Sequence, residues 1–200
     1  AVAYPYAGNI GGGGFMVYRK ANGEIGSLDY REKAPLAATK DMFLDQNGKV
    51  IKGKSTESPL AIGVPGTIAG VFAVHKKLGS LPMSEIMKPV IVLAEKGVIV
   101  TRRQERRLND YRAEIIKVNG DKTLFATIFK QNDTIKYPVL AETLKRISKK
   151  GKNEFYKGKT AKILVQYLQQ KGAIVTRKDL AKYEAKWRTP LTFNYKDLKI

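Results

Sequence analysis

Asp29-Tyr30-Arg31-Glu32 is the stretch whose residue types and spacing best suit recognition chemistry. An arginine just past a strand can hold a carboxylate through two parallel N–H···O bonds, each charge-assisted and worth about 1.5–3 kcal/mol. Spacing alone leaves a second use equally open, a structural ion pair with Asp29 or Glu32. Upstream, Gly11 to Gly14 run into Phe15-Met16-Val17-Tyr18. A dinucleotide fingerprint started at Gly11 or Gly12 would need its third glycine where Met16 or Val17 stands, and no Gly-Lys-[Ser/Thr] follows to make a Walker loop. The glycines read instead as backbone that approaches another segment closely, or takes positive φ, ahead of a buried strand.

Other chemistry is narrowed by what the chain lacks. It contains no cysteine, which excludes disulfides, thiolate metal sites and a cysteine nucleophile. Its single histidine, His75, excludes multi-histidine metal sites within this chain and would have to serve any Ser-His-Asp arrangement. His75 lies at the edge of an apolar helical stripe and reads as a partly buried, hydrogen-bonded helix residue. Asn132-Asp133-Thr134 fits a glycosylation sequon, a short and common pattern. Glu24, Asp29, Glu32, Asp41 and Asp45 would have to supply any acid–base pair, and nothing in the sequence orders them. Asp45-Gln46-Asn47-Gly48 is a turn with too few spaced oxygens for a calcium loop.

The elements that position these residues begin as β structure. Gly14 to Lys20 and Glu24 to Asp29 read as strands joined through Asn22-Gly23, a hairpin dipeptide, and Pro35 ends the regular pairing. From Pro65-Gly66-Thr67 the period becomes helical: Ile68, Val71, Phe72 and His75 form one stripe that Gly79 closes. Ser84 is placed as the cap of a helix over Glu85 to Lys96, with Pro89 expected to kink it or delay its start. Helices also follow over Val139 to Lys150 and Lys159 to Lys171. Lys96-Gly97-Val98-Ile99-Val100-Thr101-Arg102 recurs as Lys171-Gly172-Ala173-Ile174-Val175-Thr176-Arg177. Each copy reads as a helix end, a glycine, an extended apolar link and a threonine N-cap, with Gln104 or Asp179 completing a capping box.

The 200 residues suit one ordinary domain or a large piece of a longer protein. Their 43% hydrophobic content is ample for a core, and no apolar run approaches the length of a membrane span. Residues 1–5 show neither the basic n-region nor the apolar h-region of a signal peptide. The net charge of +19 falls mainly after residue 100. Such a potential attracts polyanions. Yet the basic residues are mostly lysines on amphipathic helices, without an aromatic–arginine platform or a nucleic-acid-binding motif, so a solvated face or an acidic partner is favoured over specific nucleic-acid binding.

Several of these segments resemble the γ-glutamyltransferase (γ-glutamyl transpeptidase) family. They are Ala7-Gly8-Asn9-Ile10-Gly11-Gly12-Gly13-Gly14-Phe15-Met16 with Asp29-Tyr30-Arg31-Glu32-Lys33-Ala34-Pro35, then Gly63-Val64-Pro65-Gly66-Thr67-Ile68-Ala69-Gly70. Glu154-Phe155-Tyr156-Lys157-Gly158, Thr176-Arg177-Lys178-Asp179-Leu180 and Trp187-Arg188-Thr189-Pro190 continue the series. The resemblance covers the chain in order, with Tyr30 where phenylalanine is common.

The resemblance implies an N-terminal-nucleophile hydrolase, a four-layer αββα sandwich whose precursor cuts itself so that a new N-terminal threonine becomes the nucleophile. Its own α-amino group is the base. The γ-glutamyl group of glutathione or a similar donor then passes through an acyl-enzyme to water, an amino acid or a peptide. On this reading the chain is a part of the large subunit, with an α+β fold that is predominantly helical behind a short N-terminal β-hairpin. Residues 1–36 would belong to the sandwich core, 37–190 to a mainly helical region, and 191–200 to a strand returning to the core. The nucleophile lies outside the chain, since Thr67, Thr101, Thr176 and Thr189 stand in capping or packing contexts, so this piece alone is expected to be inactive. Arg31 matches the arginine that clamps the donor's α-carboxylate, with Asp29 and Glu32 expected to hold its guanidinium. The small subunit is the expected partner, the location is periplasmic or secreted, and neither cofactor nor metal is implied. A non-catalytic polyanion-binding module, or a relative acting on poly-γ-glutamate or cephalosporin side chains, is the alternative.

Overall fold

The computed structural model describes residues 2–5 and 7–200. Along the chain come β1 (Phe15–Arg19), β2 (Ile25–Asp29), α1 (Thr67–Leu78) and α2 (Met83–Lys96). Next are β3 (Val98–Ile99), α3 (Arg102–Asp110), α4 (Arg112–Asn119) and β4 (Thr134–Ile135). Then follow α5 (Pro138–Lys150), α6 (Lys152–Tyr156), α7 (Lys159–Gln170), α8 (Arg177–Ala181), β5 (Lys186–Arg188), β6 (Asn194–Tyr195) and β7 (Leu198–Lys199). The chain divides into two compact units, residues 3–82 with 150–200, and residues 83–149.

In the first unit β1 and β2 form the expected hairpin, Phe15 opposite Asp29 and Arg19 opposite Ile25. Sequence reading missed the third strand: β5 joins β2 antiparallel, Leu28 opposite Trp187, giving the order β1-β2-β5. Three residues are too few for an alternating pattern to stand out, and β5 exists because β2 offers it a partner. One face of the sheet is packed. Leu28 is buried, Tyr18 meets Trp187 edge to face at 6.2 Å, and Lys77 of α1 lies 4.3 Å from the Trp187 ring centroid. The other face is open, with Phe15 64% and Val17 72% exposed.

Gly66 caps α1, and its N–H and that of Thr67 both donate to the Gly12 carbonyl, at 2.8 and 2.9 Å. A carbonyl from the glycine run thus takes the helix donors that a phosphate would need. A second lock comes from Tyr156 of α6, whose hydroxyl accepts from Ala69 N–H (3.1 Å) and donates to the Pro65 carbonyl (2.9 Å). Burial pushes that phenol far up from its ordinary value, so it stays protonated and able to donate. Tyr156→Phe strands two buried backbone groups and is expected to cost about 1–3 kcal/mol, read as a lowered Tm of the full-length protein.

The Glu154-Phe155-Tyr156-Lys157-Gly158 segment turns out to be a helix-start device. Glu154 is buried and its Oε1 accepts from Thr160 N–H and Thr160 Oγ1, both at 3.1 Å, satisfying orphan donors of α7. Asp179 does comparable work at α8: Oδ2 takes the N–H and hydroxyl of Thr176, and Oδ1 takes Leu36 N–H at 2.7 Å. Burial alone would raise its carboxyl, but these donors outweigh burial and hold it below its ordinary 3.8. A depressed carboxylate contributes stability at neutral pH and loses it as pH falls through the folded-state value. The Tm gap between wild type and Asp179→Asn is therefore expected to narrow as pH drops below about 4, in thermal melts run from pH 6 to 3.

The second unit shows the same punctuation at the first copy of the repeat. Gly97 has φ 98° and Gly172, in the first unit, φ 89°. Both threonine capping boxes form, Thr101 with Gln104 and Thr176 with Asp179. After Gly97 the link becomes β3, pairing Val98 with Ile135 of β4, and the unit's core gathers Ala94, Val100, Leu108, Ile135, Leu144 and Ile147. Ser84 is not the cap of α2, because that helix starts at Met83 and runs through Pro89 to Lys96 without delay. The proline forfeits one helical donor, and of the helix's residues Ala94 is buried while Ile86, Val90 and Leu93 stay exposed.

Residues 191–200, expected as one returning strand, contain the β6–β7 hairpin, Asn194 opposite Lys199. Lys196, at φ 54°, makes the turn that folds the segment back on itself.

Candidate carboxylate site at Arg31

Arg31 lies two residues beyond β2, between two backbone anchors. Ahead of it, Tyr30 and Gly14 exchange both ladder bonds (2.9 and 3.3 Å), and after it Lys33 and Val64 do the same (3.2 and 2.7 Å). The peptide groups of Arg31 itself are met by side chains. Its N–H donates to Asp29 Oδ1 at 3.1 Å, and its carbonyl accepts from the Tyr183 hydroxyl at 2.7 Å.

This turn sits against glycines. A Cβ on Gly13 would stand 2.6 Å from the Tyr30 carbonyl, 2.8 Å from Glu32 N and 2.9 Å from Arg31 Cα. One on Gly66 would stand 1.9 Å from the Tyr30 carbonyl and 2.2 Å from the Tyr183 hydroxyl. Gly12, by contrast, has room, its nearest neighbours being 3.6 Å away. Within the glycine run it is Gly13 that lets backbone meet backbone beside Arg31, while Gly14 lies against the Tyr30 ring.

The Arg31 side chain is 61% exposed. Its Nε donates to Glu32 Oε2 at 3.1 Å, and its Cζ lies 5.7 Å from the Phe15 ring centroid. Among the described residues no carboxylate takes its two Nη groups, so the edge that makes bidentate pairs remains available. Glu32 therefore engages the guanidinium. Asp29 does not: its Oδ2 takes Nε and Nη2 of Arg188 at 2.8 and 2.7 Å, while Oδ1 takes the Arg31 N–H. The physical reason is β5, which delivers Arg188 beside Asp29 through pairing across the sheet. The Arg31 N–H, followed by Arg188, holds the Asp29 carboxyl below its usual range, so it is ionised at neutral pH.

Tyr183 stacks on Tyr156 at 5.6 Å, with the rings within 9° of parallel. Burial, with the charges of Asp29 and Glu32 adding, pushes its hydroxyl up to about 12, which keeps it a donor. Next to Arg31 opens a cleft of about 420 Å³ whose lining includes Lys33, Pro35, Met42, Phe43, Leu60 and Ile62. Arg188 and Tyr183 were missed as site residues. The signal that could have found Arg188 is the Lys186-Trp187-Arg188 alternation before Pro190, and for Tyr183 nothing local distinguishes it.

His75 is not gathered here; its Nε2 lies 2.7 Å from the Leu81 carbonyl, as suits a hydrogen-bonded helix residue. Asn132 sits in a turn at φ 72° in the second unit. Among the described residues no group of three or more His, Asp or Glu side chains is placed to hold a metal, and no helix is long and apolar enough to cross a membrane. Chemically, the Arg31 site has the means to hold an anion, an exposed guanidinium edge beside an open cleft. An arginine, two engaged carboxylates and a tyrosine donor supply no nucleophile.

Comparison with known proteins adds three findings. All of residues 1–200 match the family model described as Gamma-glutamyltranspeptidase. The chain is 44% identical to the glutathione hydrolase proenzyme of Pseudomonas aeruginosa, over 98% of this chain, and 39% identical to that of Escherichia coli, over all of it. It spans 35% of the length of each. Its structure resembles the crystal structure of Helicobacter pylori gamma-glutamyltranspeptidase with a TM-score of 0.96 at 42% identity, covering 100% of this chain and 58% of that one.

Proposed function

This chain belongs to the gamma-glutamyltranspeptidase family, and from that premise we propose that the protein it forms part of moves the γ-glutamyl group of glutathione or a related donor to water or to an amino acid or peptide. The chain is a portion of the large subunit. The nucleophile is a threonine outside it, exposed when the precursor cleaves itself, and the reaction runs through an acyl-enzyme.

The observation that carries the reading is the state of Arg31: Nε tied to Glu32, the Nη edge without a protein carboxylate among the described residues, and an open cleft alongside. A γ-glutamyl group presents an α-carboxylate, which a bidentate guanidinium fits. Arg31 is accordingly the donor clamp, Glu32 sets the orientation of its guanidinium, and Asp29 fixes its backbone. Binding a carboxylate at the end remote from the γ-carbonyl places that carbonyl for attack, the entropic contribution that positioning residues make.

The open sheet face supports the αββα arrangement. Phe15 and Val17 stand out from a three-stranded sheet that is packed on its other side. The exposed apolar part of that face, Phe15, Val17 and Ile25, would be covered by a second sheet about 10 Å away, and the small subunit is the partner that supplies it. A periplasmic or secreted location fits the same family reading. The direct test is to supply the full-length protein with glutathione, with and without a dipeptide acceptor. Glutamate release, joined by a γ-glutamyl dipeptide when acceptor is present, is expected; no release of either product from matured two-chain protein contradicts the reading.

A further inference from the structure

A bidentate guanidinium clamp is only as accurate as the Cα it hangs from, because several rotatable bonds separate that atom from the donors. At Arg31 the ladder does not fix the Cα. The paired positions are Tyr30 with Gly14 and Lys33 with Val64, and both peptide groups of Arg31 fall between them. The carbonyl is fixed by a side chain more than a hundred residues away, and the N–H by Asp29, which a second distant side chain holds in turn. Tyr183 reaches the carbonyl directly. Arg188 acts through Asp29: it places two donors on Oδ2, and the other oxygen then faces the Arg31 N–H.

We propose that Arg188 and Tyr183 are positioning residues for the Arg31 clamp, fixing the peptide groups on its two sides so that the guanidinium meets the donor's carboxylate in register. This rests on the reading of Arg31 as the donor clamp.

Both residues are themselves held. The Arg188 carbonyl accepts from the Ser27 hydroxyl at 3.0 Å, and the β2–β5 register sets Arg188 opposite Ser27. The Tyr183 ring lies flat on Tyr156, which is bonded at both Pro65 and Ala69. The Tyr183 hydroxyl reaches the turn because position 66 is glycine and offers no Cβ in its path. These connections form one chain of contacts from the start of α1 and the edge strand β5 to a single residue. An ion pair serving only to fasten β5 to β2 would need neither the shared Asp29 carboxylate nor the tyrosine on the opposite side.

The experiment is steady-state kinetics on the matured full-length enzyme with L-γ-glutamyl-p-nitroanilide, comparing wild type, Arg188→Ala, Tyr183→Phe, Arg31→Lys and the doubles with Arg31→Lys. Tyr183→Phe keeps the ring and its stacking, so it stands in if Arg188→Ala does not mature. Each positioning variant is expected to raise KM about tenfold, one charge-assisted bond's worth, with kcat within about twofold. On an Arg31→Lys background the same changes are expected to raise KM by less than about twofold more, because the geometry they protect is already gone. KM unchanged in Tyr183→Phe and Arg188→Ala, in an enzyme whose Arg31→Lys KM has risen, overturns the positioning role alone. Effects that multiply in full with Arg31→Lys overturn it as well. An unchanged KM in Arg31→Lys removes the clamp itself, and the positioning role falls with it.

Discussion

Arg31→Lys in the matured enzyme is expected to raise KM for γ-glutamyl donors by about 10- to 100-fold while kcat changes little. Lysine keeps the charge but replaces a planar fork by a point donor, so one of the two parallel bonds to the α-carboxylate is lost. A charge-assisted bond is worth about 1.5–3 kcal/mol, and each 1.4 kcal/mol is a factor of ten. Lysine also loses the Nε that binds Glu32 at 3.1 Å, so the remaining ammonium is less well aimed. The carboxylate is held in both ground and transition states, which places the loss in KM rather than kcat. The check is a saturation curve for each enzyme with one donor at fixed ionic strength. A KM within twofold of wild type contradicts the assignment of Arg31.

Gly13→Ala and Gly66→Ala are expected to lower stability by about 3 kcal/mol or more each, whereas Gly12→Ala changes it by less than about 1 kcal/mol. Overpacking typically costs about 1–3 kcal/mol when neighbours can yield. At Gly13 and Gly66 the close atoms include backbone, the Tyr30 carbonyl in both cases, and that carbonyl is fixed by its bond to Gly14. At Gly12 the new methyl meets only ordinary contacts at 3.6 Å. Thermal or urea melts of full-length protein, with maturation scored by gel, separate the three. Equal effects at Gly12 and Gly13 would show that the run needs flexibility rather than close approach. Severe loss at Gly13 also moves Arg31, so a surviving Gly13→Ala enzyme is expected to show a raised donor KM.

Local signals carried much of the fold. The β1–β2 hairpin was legible because Asn22-Gly23 separates two β-favouring runs, and both capping boxes were legible because their partners lie three residues apart. The start of α2 was misread, since Ser84 is a good cap by type while Met83 already lies in the helix. At the site, Arg31 and its Glu32 contact were readable because they adjoin in sequence. Arg188 and Tyr183 were not, being delivered to Asp29 and to the Arg31 carbonyl by a strand pairing and a ring stack more than 150 positions away. The use of Asp29 was misassigned for the same reason: proximity in sequence pointed at the Arg31 guanidinium, while pairing across the sheet supplied a different one.

The central claim is that these residues serve a precursor that matures to expose a threonine, and the intact mass of the purified full-length protein tests it most directly. Two chains whose masses sum to that of the precursor plus one water, the smaller beginning with threonine, are the predicted result. A single uncut chain that persists for days under native conditions would contradict it.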